Sequence, residues 1–369
     1  MKVLHIIARL DVGGSERVAI NIASGKARGT EYHVAEVLRC NTTFTASIIS
    51  ELHHKGIHCH RAWIPVLFHW HYLCEKALAF LFAIRLLVLW MRLRPDVIHC
   101  HTEIPEMAVW VTLRLFPFIR CRVVRTIHNT VLWTGMPVLG RRVERLMQQC
   151  HANVAISENV ADAYASVYGH RPPIIYNGLQ VPELSTQTAT TGHSPLRIMF
   201  AGRFEEQKGI STLCDIIRRL ADDPRYLFHI YGSGSLQHLV DELRPLPGVE
   251  VFPPRHNIAS IMPQYDYVIM PSLHEGLSIL AIEASMNAVP LLINHCRGLY
   301  DTLPPQWPLT VHDNDTDQWM HLMRDILPTA DRDGLGLQAR RYAMEHFAIE
   351  TMQQQYEHFY RNEKTLSHT

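Results

Sequence analysis

Two blocks of alternating strand and helix patterns, separated by a polar stretch, restrict this chain's fold more than any other feature. In the first block, apolar runs of strand length fall at residues 2–8, 33–38, 96–100, 123–128 and 154–156, with helical stretches between them. Residues 172–178 (PPIIYNG) are expected to add a short strand and a turn. The second block reads strand 196–201, loop 202–209, helix to Leu220; strand 226–231, loop 232–235, helix to Leu243; then strands at 249–252 and 267–270. Alternation of this kind builds parallel sheets covered by helices.

The separator, residues 182–195 (PELSTQTATTGHSP), is polar, Thr-rich and proline-flanked, as linkers are. At 369 residues the chain suits two domains of ordinary size. The expected organisation is an N-terminal domain over 1–181, the linker at 182–195, a second domain over 196–345, and a tail over 346–369. Residues 338–360 are strongly helical in pattern, so the tail is expected to cross back as a helix on the first domain. The expected fold class is α/β, with two Rossmann-like domains facing across a cleft. In the first β-α unit the Gly13-Gly14 turn precedes a helix for which Ser15 is the expected N-cap.

Charge is balanced over the chain but not along it. Residues 1–180 carry 20 Lys/Arg against 12 Asp/Glu, whereas the rest carries 15 against 23. A basic front half suits an anionic partner, such as a phosphate-bearing acceptor or an anionic lipid surface, as well as simple asymmetry between domains. Nucleic acid is not among the expected partners. The 8 cysteines are scattered, without a C-x-x-C pair or a preceding signal-peptide pattern, which favours a reducing, cytoplasmic compartment. His58-Cys59-His60 and His99-Cys100-His101 resemble fragments of zinc sites, but neither has a second ligand pair at zinc spacing. Residues 75–94 are the most hydrophobic stretch, interrupted by Arg85, and read as a covering helix rather than a membrane span. Arg85 and Arg92 share one helical face, with Trp63, Phe68, Trp70, Tyr72 and Trp90 nearby, which is the composition of a membrane-docking helix as well.

The candidate chemistry lies in the second block. In YDYVIMPSLHEGLSILAIEASM, residues 265–286, Glu275 falls in the loop after a strand and Glu283 lies two turns along the next helix. That is the carboxyl end of a strand, where open α/β sheets bind ligands. The loop 202–209 (GRFEEQKG) also follows a strand and opens a helix, offering Arg203 and Lys208 beside free backbone N–H groups, a combination that holds phosphates without a metal. The Gly232–Ser235 loop is a weaker nucleotide-border candidate.

The ordered set Gly13-Gly14-Ser15-Glu16-Arg17, Asp96-Val97-Ile98-His99-Cys100-His101, Thr126-Ile127-His128-Asn129, Tyr176-Asn177-Gly178, Gly202-Arg203-Phe204-x3-Lys208-Gly209 and Glu275-Gly276-x6-Glu283-Ala284 resembles the retaining glycosyltransferases of the GT-B fold, family 4. The resemblance implies that Arg203 and Lys208 bind the diphosphate of a nucleotide-sugar donor, that Glu275 contacts the donor sugar, and that Glu283 holds the ribose. It further implies that the backbone at Gly276, Leu277 and Ser278 approaches the phosphates, that Gly13 and Gly14 approach donor and acceptor, and that His128 reaches across the cleft to the sugar. The activity it implies is hexosyl transfer from a nucleotide-diphosphate sugar, expected to be UDP-linked, to a lipid-linked or growing saccharide in cell-surface polysaccharide assembly, lipopolysaccharide or exopolysaccharide. No cofactor or metal is expected, and the expected location is cytoplasmic, peripheral on the inner face of an anionic membrane. Leu277 stands where the family often has an aromatic, and residues 291–298 (LLINHCRG) depart from the family's small, acidic and glycine-rich continuation.

Asp313-Asn314-Asp315 has the D-x-D form by which other glycosyltransferases hold a divalent cation, but it precedes a helical run whose N-terminus its acids would favour. The competing functions are a nucleotide-sugar epimerase or hydrolase on the same scaffold and a non-catalytic saccharide-binding protein. A dinucleotide-dependent oxidoreductase ranks last, because the Gly-Gly turn lacks the G-x-G-x-x-G fingerprint.

Overall fold

The computed structural model describes residues 1–11, 14–25, 29–63, 72–183, 195–255 and 257–362; at 43, 72–80 and 362 only the backbone is described. The chain divides into two compact units, one comprising Met1–Gly178 with Ile349–Thr369, the other Leu179–Ala348. Most of the expected linker, together with Gly13, Phe68, Trp70 and the side chain of Tyr72, lies outside what is described.

Unit 1 runs β1 (Lys2–Ile7), α1 (Gly14–Ala23), β2 (Glu31–Glu36), α2 (Thr43–His54), β3 (His58–His60), α3 (Tyr72–Leu93), β4 (Val97–His101), α4 (Glu103–Leu115), β5 (Arg122–Ile127), α5 (Pro137–Gln149), β6 (Asn153–Ala155) and α6 (Glu158–Tyr168). The sheet is parallel in the order β3-β2-β1-β4-β5-β6, so the strand order reverses between β1 and β4. Side chains alternate between its faces. Leu4, Ile6, Ile98, Cys100 and Val123 pack with Phe82, Leu86 and Leu89 of α3 and Met107 of α4. Val3, Ile7, Val97 and Val124 pack on the opposite face with α1 and the chain's last described helix.

The α4/α5 face of β5 carries a buried ionic knot. Arg125 is fully buried and donates Nη1 to Glu106 at 2.9 Å and to Glu144 at 2.7 Å, with Nη2 on the second Glu144 oxygen at 2.8 Å. Trp133 Nε1 and the Tyr164 hydroxyl donate to the same Glu144 carboxylate at 2.7 and 2.6 Å. Burial pushes the Glu106 carboxyl up to about 7, against the pull of Arg125.

Unit 2 runs β7 (Leu196–Arg203), α7 (Ile210–Arg219), β8 (Tyr226–Ser233), α8 (Gln237–Asp241), β9 (Val249–Phe252), β10 (Tyr267–Met270), α9 (Ile279–Met286), β11 (Leu291–Asn294), β12 (Thr310–Val311), α10 (Thr316–His321) and α11 (Arg332–Phe347). Its parallel sheet has the order β12-β11-β10-β7-β8-β9, which reverses between β7 and β10. Both units are therefore Rossmann-like, and each has one switch point.

Several elements differ from expectation. Strands β3, β11 and β12 join the expected set. Residues 172–178 form no strand but one isolated bridge, Ala155 to Ile174, because Pro172 and Pro173 remove ladder donors. The helical pattern over 338–360 is broken at Ala348, whose extended backbone (φ −67°, ψ 143°) ends α11 and starts α12 (Ile349–Asn362). A hydrogen bond from Leu179 N–H to Phe347 O at 2.8 Å and a bridge from Leu179 to Ala348 hold that break. From there α12 packs Met352, Tyr356 and Tyr360 into the core of unit 1. Helix α1 starts at Gly14, with Ser15 inside it, donating to Glu16 at 2.7 Å instead of capping.

Candidate functional site

The two loops that leave β7 and β10 meet at the switch point of unit 2, and their backbones are fastened together. After β7 the chain makes one 3-10 turn over Glu206–Lys208 and leaves it through Gly209, at φ +70°. A Cβ there would stand 1.9 Å from the Pro271 carbonyl oxygen, so only glycine lets the two loops approach this closely. Leu273 N–H donates to Gln207 O at 2.9 Å, and Gln207 Nε2 donates to His274 O at 3.2 Å. On this platform Lys208 Nζ donates to both oxygens of Glu275, at 2.7 and 2.9 Å, and Ser272 Oγ donates to Oε1 at 2.9 Å. Glu275 is buried at 6% exposure, with the ammonium and the Ser272 hydroxyl among its partners. Arg203, at the end of β7, donates Nη2 to Gln207 Oε1 at 3.0 Å and stays exposed. The structure thus brings Arg203, Lys208 and Glu275 to one edge.

From the same loop, Gly276 is exposed, with open space where its side chain would be. Leu277 is half-buried, and Ser278 caps α9 by accepting from Ala281 N–H. Glu283 sits on the second turn of α9, half-buried, and makes no side-chain hydrogen bond or ion pair among the described residues; burial raises its carboxyl above the usual range.

Sequence reasoning misses the residues that hold this loop from behind. Glu275 N–H donates to Arg297 O at 3.2 Å and Ser278 N–H to Gly298 O at 2.9 Å. Gly298, at φ +76°, would place a Cβ 2.2 Å from Glu275 O. Asn294 donates to Ser272 O at 3.0 Å and accepts from Asn314 N–H at 2.8 Å. The 291–298 segment, which departs from the family pattern, is the support of the Glu275 loop. The glycine after Arg297 is the one signal that marks it. Of the D-x-D acids, Asp315 caps α10, accepting from Gln318 N–H at 2.8 Å.

Unit 1 carries a second polar cluster at its own switch point. His5 on β1, His99 and His101 on β4, Thr126 on β5 and His128 just after β5 occupy the α12 face of the sheet. His5 Nδ1 lies 3.1 Å from His101 Nε2, and His101 Nδ1 lies 3.4 Å from His128 Nε2. His99 pairs Nδ1 with the Tyr360 hydroxyl at 2.6 Å and Nε2 with the Thr126 hydroxyl at 2.8 Å. Burial pushes His5 down to about 3 and His128 to about 4, and holds His99 and His101 well below the usual imidazole value, with neighbouring imidazoles adding to the effect. All four are neutral at physiological pH. One ring nitrogen each of His5, His99 and His101 falls within 4.8 Å of the others, the one metal-like grouping among the described residues. Seating an ion there requires breaking hydrogen bonds those rings already make. His58 and His60 belong to a different group: His60 Nε2 lies 3.1 Å from His33 Nδ1 and His58 faces Glu31. Gly14 is exposed at the start of α1.

Two Rossmann-like units, each with a six-stranded parallel sheet, are the architecture of the GT-B class of fold. Structures of that class match over nearly the whole chain. HepE of Anabaena, solved with UDP and glucose, aligns at a TM-score of 0.72 and 15% identity, covering 98% of this chain and 100% of that one. A lipopolysaccharide outer core galactosyltransferase aligns at 0.71 and 15% identity, covering 97% and 98%. Residues 12–181 match the family model of Glycosyltransferase Family 4 and residues 195–328 that of Glycosyl transferases group 1. The chain belongs to this family and is a glycosyltransferase. The GDP-mannose:cellobiosyl-diphosphopolyprenol alpha-mannosyltransferase of Xanthomonas oryzae pv. oryzae is 26% identical over 313 residues, 79% of this chain and 78% of the relative. The phosphatidyl-myo-inositol mannosyltransferase of Propionibacterium freudenreichii is 26% identical over 229 residues, 59% and 57% of the two chains.

Proposed function

We propose that the protein transfers a hexose, with retention at the anomeric carbon, from a nucleotide-diphosphate sugar to a lipid-linked or growing saccharide acceptor in cell-surface polysaccharide assembly. The observation that carries this is the Lys208 ammonium seated on Glu275 where β7 and β10 end. When the bond from the anomeric carbon to the diphosphate breaks, its electron pair leaves with the phosphate oxygen, and positive charge develops on the carbon. Arg203, Lys208 and the N-termini of α7 and α9 are suited to the first charge and Glu275 to the second. The acceptor hydroxyl then bonds to that carbon from the side the leaving group departs, and its proton passes to a phosphate oxygen. Glu283, a half-buried carboxylate without a protein partner among the described residues, is suited to the ribose hydroxyls. The backbone at Gly276, Leu277 and Ser278 is assigned to the phosphates, Gly13 and Gly14 to donor and acceptor, and His128 to the transferred sugar. No metal takes part in this scheme.

The donor we favour is a UDP-sugar. The GDP-mannose named for the Xanthomonas relative supports a second reading in which the base is guanine. That relative's polyprenol-linked acceptor supports a lipid-linked one here. Among the described residues no helix is long and apolar enough to cross a membrane. On α3, Leu81, Ile84 and Met91 are more than half exposed beside Arg92, and Arg85 lies 4.7 Å over the exposed Trp63 ring, a surface suited to peripheral docking on an anionic cytoplasmic leaflet. Incubation with UDP-glucose, UDP-galactose or GDP-mannose and extracted lipid acceptors is expected to release nucleoside diphosphate only when an acceptor is present. Release without acceptor would favour a hydrolase, and wild-type transfer by Glu275→Ala would remove the site assignment. Anionic liposomes that fail to retain the protein at low salt would remove the membrane contact.

A further inference from the structure

The histidines of unit 1 form a line, and the line has a direction. His5 Nδ1 meets His101 Nε2 at 3.1 Å, and His101 Nδ1 meets His128 Nε2 at the longer distance of 3.4 Å. His101 is fixed between its neighbours, stacked on His99 at 4.2 Å between ring centres and on His5 at 5.4 Å. His99 in turn is anchored by the Tyr360 and Thr126 hydroxyls, and Thr126 by Tyr356 at 2.8 Å. At the inner end, His5 Nε2 is buried and has no hydrogen-bond partner. At the outer end, His128 Nδ1 has none among the described residues, and His128 as a whole is half-buried.

Each neutral imidazole has one donor and one acceptor, so only two orderings satisfy both contacts. If the protons point inward, the line ends on a buried N–H at His5 Nε2 with nothing to accept it. If they point outward, His5 Nε2 is a bare lone pair, and the free donor is His128 Nδ1–H, which water or a ligand satisfies. Orphaned buried N–H groups are the rarer fault, so the outward order is favoured.

We propose that His5 and His101 are positioning residues for His128: their contacts place its proton on Nδ1, so that His128 presents an N–H donor to a hydroxyl oxygen of the transferred sugar. The last step rests on the assignment of His128 to the sugar made above; the tautomer itself does not. A free histidine side chain in water favours Nε2–H, so the line reverses the default. An uncharged donor suits a sugar hydroxyl, which carries no charge to repay the desolvation of an imidazolium.

Nitrogen NMR of the whole protein labelled with 15N-histidine, near neutral pH, reads the tautomer directly, with His128→Gln assigning the resonance. The expected result is a protonated Nδ1 and a bare Nε2 at His128. In His101→Phe the proton is expected to move to Nε2 and kcat to fall about tenfold with little change in donor KM, as for an interaction that strengthens in the transition state. His101→Asn, whose amide nitrogen can replace Nδ1 as donor, is expected to restore both. A wild-type His128 protonated on Nε2 overturns the proposal, whether or not the variants fold. So does a His101→Phe protein with unchanged tautomer and turnover, or stoichiometric transition metal bound by His5, His99 and His101 in the purified protein. Full transfer by His128→Gln overturns the sugar assignment while the wild-type tautomer is read independently.

Discussion

Acid is expected to weaken unit 1 through its buried imidazoles, and the size of the effect follows from how they are buried. His5, His99 and His101 are at most 1% exposed, and burial lowers all three. A histidine neutral in the fold but charged when unfolded contributes stability that is complete above the unfolded pKa and is lost as pH falls below it. Between about pH 7.5 and about pH 5 the loss is set by the unfolded value near 6.5, roughly 2 kcal/mol for each ring that stays neutral in the fold. Three such rings give about 6 kcal/mol, comparable with the whole stability of a typical domain. Glu106 acts in the opposite sense: pushed up to about 7, it takes up a proton in the fold before it does in the unfolded chain. Acidification over the same range therefore returns about 2 kcal/mol, while His128, lowered by burial to about 4, adds about 2 to the loss, leaving a net of about 6 from these five groups. Urea titrations at the two pH values, read by hydrogen exchange at the β1 and β4 amides, isolate unit 1 from unit 2. His5→Gln removes one titrating ring, so its pH-dependent loss should shrink by about 2 kcal/mol whatever the variant does to absolute stability. Equal protection at both pH values, or an unchanged slope in His5→Gln, would refute the neutral, buried state of these rings.

Lys208→Ala leaves the Glu275 carboxylate buried without its ammonium and is expected to lower the stability of unit 2 by about 3 kcal/mol. Lys208→Ala/Glu275→Ala should fold better than Lys208→Ala alone, and a double-mutant cycle by urea unfolding measures the coupling. Glu283→Gln is expected to leave unfolding unchanged while weakening nucleoside diphosphate binding about tenfold by calorimetry, the loss of about 1.4 kcal/mol from a charged hydrogen bond. Gly209→Ala forces a Cβ against Pro271 O in a left-handed conformation; destabilisation above about 1 kcal/mol is expected, with weaker donor binding, by the same two assays.

Most strands were legible in the sequence as apolar runs, because a parallel strand covered on both faces needs little else, but β11 (Leu-Leu-Ile-Asn) is as apolar as these and was not expected. β3 is His-Cys-His and β12 two residues long, so neither has a pattern to read. The break at Ala348 has no proline or glycine and lies inside a helical pattern; the pairing of Leu179 with Phe347 and Ala348 imposes it from far away in sequence. The loops of Lys208 and Glu275 could be placed because each directly follows a recognisable strand. Ser272 and Asn294 could not, because their work is to hold a backbone that only the folded loop defines, and Gly298 marks that support only by being a glycine. The histidine line is equally invisible: His5 and His101 are 96 residues apart, and only the pairing of β1 with β4, which sets His5 opposite His99, brings it within reach of His101.

The two switch points are chemically unlike. In unit 2 the residues there are ionic, Arg203, Lys208, Glu275 and Glu283, and the loops that carry Lys208 and Glu275 are fastened by backbone bonds. In unit 1 they are imidazoles held neutral by burial, ordered by one another and by hydroxyls of α12. In the proposed scheme the diphosphate assigned to Arg203 and Lys208 gains charge as the bond breaks, whereas the sugar hydroxyl assigned to His128 does not. Fixed cations stabilise the first at little reorganisation, while an ammonium or imidazolium at the sugar would be desolvated with no compensating charge. A charged residue at position 128 should therefore be worse than an uncharged donor. His128→Lys is expected to lose more transfer than His128→Asn at equal folded yield, and the reverse order of kcat would contradict the proposed role of His128 as an uncharged donor.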